Sequence, residues 1–99
     1  MKREEFIFII GYQGNVAIID GKAKKNYGSY TTRQLAEAGL FKPAFCSALY
    51  AGDPSEMEEF LRIFNAAHPG PPYTQEQLSR LFGVFEVPKE PIRAMSSRP

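Results

Sequence analysis

The chain has no tryptophan, a single cysteine, Cys46, and a single histidine, His68. One cysteine closes no internal disulfide, and one Cys with one His is too few for a tetrahedral zinc site. No other spacing suggests a metal or a cofactor, and none is expected. Long apolar runs are missing as well. Gly11-Tyr12-Gln13-Gly14-Asn15 separates residues 6–10 from residues 16–19, and a membrane span needs about 20 predominantly apolar residues. Nor is there an excess of one charge, because 12 Lys and Arg against 11 Asp and Glu leave a net charge of +1. That balance is atypical of nucleic-acid binders. Met1-Lys2-Arg3 begins like an export signal, but Glu4 and Glu5 follow at once and the apolar stretch after them is short. The expectation is a cytoplasmic protein, with the unpaired Cys46 agreeing with a reducing compartment.

What is present suffices for one folded unit. Of the 99 residues, 43% are hydrophobic and 13% aromatic, enough for a core and far from the composition of a disordered chain. Residues 6–10 (Phe-Ile-Phe-Ile-Ile) and 16–19 (Val-Ala-Ile-Ile) are β-branched and aromatic and flank a glycine-containing turn, which predicts an N-terminal β-hairpin. Residues 22–30 are polar and read as an exposed connection. Helical punctuation follows. Thr31 with Gln34, and Thr74 with Gln77, have capping-box spacing, while Gly39, Gly52 and Gly83 stand where helices should stop. Asp53-Pro54 opens a helix whose Met57, Phe60, Leu61 and Phe64 recur along one face. The last helix presents Leu78, Leu81 and Phe82. Residues 84–87 (Val-Phe-Glu-Val) have strand character between Gly83 and Pro88. The predicted fold is α+β: a hairpin, with a third short strand near 84–87, packed on about four short helices. Residues 1–87 form the domain and 88–99 a mobile C-terminal tail.

Residues 32–50, a capped helix, Gly39 and a second helix from Pro43 to Tyr50, resemble the helix-turn-helix of bacterial DNA-binding regulators. That resemblance implies a second helix placed in a major groove. Here Ala36 precedes the turn glycine by three residues, where the family pattern has four, and the would-be recognition helix offers only Ser47 to read bases. Charge gives a related pointer. Residues 21–52 carry Lys22, Lys24, Lys25, Arg33 and Lys42 against Glu37 alone, with Tyr27 and Tyr30 interleaved, a pattern suited to phosphates and stacked bases. These five cations are the candidate contacts of an anionic partner.

The hairpin supplies the competing pointer. Both of its faces are apolar and need cover, which makes Ile7 and Ile9, with Tyr12 in the turn, the candidate protein interface. No catalytic residue is assigned. His68 at a helix end, Cys46 on an apolar helix side and Asp20 in an Asp-Gly turn each have an ordinary structural explanation. The leading expectation is a protein-interaction or regulatory domain, self-associating as a homodimer. The alternative is a nucleic-acid-binding domain using the helix-turn-helix-like unit at 31–51.

Overall fold

A computed structural model describes residues 1–88 and 93–96. It shows an α+β chain in the order α1 (Arg3–Phe6), β1 (Ile9–Gln13), β2 (Val16–Ile19), α2 (Gly21–Tyr27), α3 (Thr32–Glu37), α4 (Phe41–Ala51), α5 (Pro54–Ala67), α6 (Gln75–Phe82) and β3 (Arg93–Ser96). The strands form one sheet in the order β1-β2-β3, with β1 antiparallel and β3 parallel to β2.

The predicted hairpin is present, displaced toward the C-terminus. Phe6, Ile7 and Phe8 are buried in the core but precede the strand, because Lys2 to Phe6 turns into a single helical turn whose Glu5 carboxylate accepts from the Lys2 N–H at 3.1 Å. A continuous apolar run satisfies a buried turn as well as a buried strand, and period alone does not separate them. The strand instead continues through Gly11, Tyr12 and Gln13, leaving Gly14-Asn15 as a two-residue turn. Gly14, at φ 59°, takes the first turn position, where type II′ hairpins need glycine.

Residues 21–27, expected as an exposed connection, are helical. Asp20 caps them by accepting from the Ala23 N–H at 3.0 Å, and Ala23 and Tyr27, four residues apart, turn toward the core. One apolar pair in a lysine-rich segment is a faint stripe, which explains why the polar composition misleads. Gly28 closes this helix against α1, where a Cβ would stand 2.5 Å from the Lys24 carbonyl and 3.3 Å from the Glu4 Cβ.

Helices α3, α5 and α6 begin and end where their punctuation predicts, whereas α4 ends at Gly52 as expected but opens at Phe41, two residues before Pro43, with no side-chain cap at Leu40. Thr31 with Gln34 and Thr74 with Gln77 form complete capping boxes, and the Asp53 carboxylate caps α5 through the Ser55 N–H. Met57, Phe60 and Phe64 are buried as expected, while Leu61 is half-buried. Leu81 departs from expectation at 62% exposed, because α6 turns its Leu78, Ser79 and Phe82 side inward. Helix α4 is central: it packs against both α3 and α5, which also touch each other, and α1 rests on it. Phe45 and Phe60 meet at the middle with ring centroids 5.8 Å apart.

The third strand is not at 84–87. Those residues follow α6 without strand pairing, and the third strand is Arg93–Ser96, in register with Val16 to Ile19. The chain beyond residue 87 was expected as a tail; of it, residues 89–92 and 97–99 lie outside the described residues.

Candidate interaction surface

Side chains on a strand alternate between faces, so Ile9 and Tyr12 would ordinarily point to opposite sides. The β1–β2 register prevents this. Ile9 pairs with Ile19, but Gly11 pairs with Ile18 and Tyr12 with Ala17, so Ile10 is an inserted residue. Such a bulge resets the parity of the strand. Ile9 and Tyr12 therefore share the face of Ala17 and Ile19, the two β2 residues buried in the core. Beyond the end of that core the same face stays open, and Ile10 and Tyr12 are 60% and 53% exposed.

The opening is a cleft of about 260 Å³ between β1, α4 and the segment after α6. Phe6, Ile9 and Cys46 line it, Tyr12 and Phe85 stand at its sides, and Lys42 and Glu86 bring one charge of each sign. Phe85 is 64% exposed. A second apolar cleft of about 250 Å³, lined by Phe8, Ala23, Leu40 and Pro43 among others, shares Ile9, Ile10 and Lys42 with the first. Three large exposed apolar side chains beside one concavity form a patch rather than the scattered single residues of an ordinary surface.

Of the predicted interface residues, Tyr12 is exposed on this surface and Ile9 is half-buried in its wall. Ile7 is corrected: at 2% exposure it lies inside the fold, because it sits in the turn before β1 and not on a strand face. The large exposed apolar side chains beside the cleft are Ile10, Tyr12 and Phe85. Alternation could not reveal Ile10, since the bulge that re-aims it depends on pairing. Phe85 was hidden by its strand-like context.

The five candidate cations are divided among different settings. Lys22 and Lys25 are exposed on α2, and Lys24 lies 4.0 Å from the Glu5 carboxylate. Lys24 and Lys25 border an open depression that also contains Glu4. Arg33 donates to Glu37 at 3.1 Å, and this hydrogen bond, then the charges of Glu37 and Glu59, raise its pKa above the ordinary value. Lys42 belongs to the apolar clefts. Tyr27 and Tyr30 pack edge-to-face on each other, with centroids 5.2 Å apart. Within the helix-turn-helix-like unit, α4 is buried from Ala44 through Ala48, and Ser47, its one candidate for base contact, is 2% exposed. A helix enclosed on this scale has no reading face to place in a groove.

Ser47 is committed to a polar chain instead. The Arg3 guanidinium donates to Ser47 Oγ from Nε at 3.3 Å and from a terminal nitrogen at 2.8 Å, to the Gly28 carbonyl at 3.0 Å, and to the Tyr30 carbonyl. Thr32 Oγ1 lies 2.7 Å from Ser47 Oγ and 2.9 Å from a Glu56 carboxylate oxygen. Thr32 has one hydroxyl proton and an ionised Glu56 only accepts, so that proton goes to Glu56 and the Ser47 hydroxyl donates to Thr32. The result is a one-way relay, Arg3 to Ser47 to Thr32 to Glu56, tying α1, α4, α3 and α5 together. Among the described residues no buried side-chain nitrogen or oxygen lacks a partner. A satisfied chain of this kind ties the helices that contribute to it.

Cys46 opens onto the first cleft yet is 2% exposed, and burial pushes its thiol from 9.0 up to about 11, with Lys42 opposing the shift. A thiol held protonated is a poor nucleophile. Between pH 9.0 and about 11 the unfolded chain has lost this proton while the folded chain retains it, so stability falls as pH rises through that window. Urea melts across the window are expected to show a steeper loss for the wild type than for Cys46→Ala. Equal slopes would contradict the assignment.

Among the described residues no helix is long and apolar enough to cross a membrane, and no three His, Cys, Asp or Glu side chains gather as a metal site. Comparison with protein-family models, with curated proteins and with solved structures finds no match to this chain.

Proposed function

We propose that the protein is an interaction domain that self-associates through the apolar cleft beside β1. The observation that carries this reading is the grouping of Ile10, Tyr12 and Phe85, all more than half exposed, around a concavity with one cation and one anion at its sides. A two-fold interface brings the same patch of two copies together and must be self-complementary. This patch offers both a projecting aromatic ring and a hollow, and both signs of charge. Sheet extension is the weaker route, because β1 is a short edge strand interrupted by a bulge, a device that blunts strand edges. The reading therefore rests on side-chain burial in the cleft. Its modest size fits weak, reversible association, as small interfaces generally give. A cytoplasmic setting belongs to the same reading, and the free Cys46 suits it.

Ile10→Asp tests the reading. The position is exposed, so the fold should survive, while a carboxylate in the contact would have to be desolvated. Sedimentation equilibrium at high micromolar concentration is expected to show association for the wild type and its loss for Ile10→Asp. Association unchanged by the substitution would sink the assignment of the cleft.

A further inference from the structure

The segment after α6 has the composition of a strand and the exposure of a contact, yet among the described residues it pairs with no strand. Its ends are held. The Val84 N–H donates to the Ser79 carbonyl at 3.0 Å, and Val84 and Val87 pack against the core. Between these anchors Phe85 is 64% exposed, Glu86 is exposed, and the chain bends at Glu86. The bend frees neighbouring side chains from the strict alternation of an extended strand. An exposed aromatic ring on a segment tethered at both sides is presented at little conformational cost, which is what a docking element requires.

We propose that this segment is what fills the cleft of the second copy, reciprocally. Phe85 of each copy enters the cleft between β1 and α4 of the other, and Glu86 of each meets Lys42 of the other. The inference rests on the self-association reading and adds the occupant and its polarity. Three observations support it. The cleft, about 260 Å³ and lined by Phe6, Ile9 and Cys46, is an apolar hollow suited to an aromatic ring. Lys42 and Glu86 both border it, and among the described residues they make no ion pair with each other. Two-fold symmetry turns that single cation and single anion into two attractive contacts with no like charges opposed.

Charge reversal with rescue tests the pairing. Lys42 and Glu86 are exposed, and an acid at position 42 would lie in the first turn of α4, where negative charge is favourable, so folding is not at risk. Lys42→Glu alone and Glu86→Lys alone each oppose like charges, and each is expected to weaken association about tenfold or more. An equimolar mixture of the two variants sets each reversed charge against the other, and is expected to return association to the wild-type level as a heterodimer. The double variant should do the same as a homodimer. Wild-type association in both single variants, or a mixture no better than its components, would overturn the inference. If Ile10→Asp still abolishes association in that case, the cleft remains the interface and only its occupant is wrong. A wild type that stays monomeric would instead remove the self-association reading and the inference with it.

Discussion

Replacing Phe60 with alanine is expected to cost about 3–5 kcal/mol of folding stability, through the lost transfer energy of the ring and the cavity left behind. Phe60 has no exposed surface, and its ring lies 5.8 Å from that of Phe45 and 5.9 Å from that of Phe64, at the crossing of α4 and α5. A loss of that size is a large fraction of the roughly 5–15 kcal/mol that stabilises an ordinary domain. In urea melts the midpoint should fall sharply with the slope unchanged. Leu61→Ala, one residue on and half-buried, is the internal control and should lose much less. Equal losses at the two positions, or a loss near zero at Phe60, would mean that α5 is rotated from the orientation described.

Arg3→Ala carries the second large effect, about 2–3 kcal/mol, since it removes a charged donor and leaves acceptors without partners. Arg3 is the sole guanidinium of the polar chain. It serves the Gly28 carbonyl at the end of α2, the Tyr30 carbonyl before α3, and Ser47 on α4. Hydrogen exchange should rise in α1 and in residues 21–30, while α5, whose core faces lie elsewhere, keeps its protection until global unfolding. Arg3→Lys should recover only part of the loss, because an ammonium cannot reproduce the planar fork that reaches two carbonyls and a hydroxyl at once. Unchanged exchange in residues 21–30 would show that the guanidinium is not the tie between α1 and α2.

What could be read from the sequence was the chemistry that acts over a few residues. The Thr31–Gln34 and Thr74–Gln77 boxes and the Asp53 cap depend on neighbours three or fewer positions away, and they fold as their spacing predicts. The same reasoning placed Met57, Phe60 and Phe64 inward. Features set by distant pairing were illegible. β3 exists because residues 93–96 align beside β2, and nothing in that short stretch announces its partner. The turn that withdraws Phe6 and Ile7 from β1 is bound up with α1 resting on α4 and with the Arg3 contacts. α2 had only its Asp20 cap and the Ala23–Tyr27 pair to declare it.

The candidate site divides in the same way. Tyr12 and Ile9 were visible as apolar residues on a hairpin, and Lys42 as a cation, though for a different partner. Ile10 was not, because its direction is set by a bulge between Ile9 and Gly11 that appears only when β1 is laid against β2. Phe85 and Glu86 had the look of a strand, and they border the cleft because that segment forms no strand among the described residues.

Self-recognition through one surface of this protein is read by amide NMR on dilution from millimolar to low micromolar concentration. Concentration-dependent shifts confined to residues 9–12, Lys42 and residues 84–86, and absent in Ile10→Asp, are the predicted result. Spectra that do not change over the range, or changes centred on Lys22 and Lys25 of α2, would contradict it.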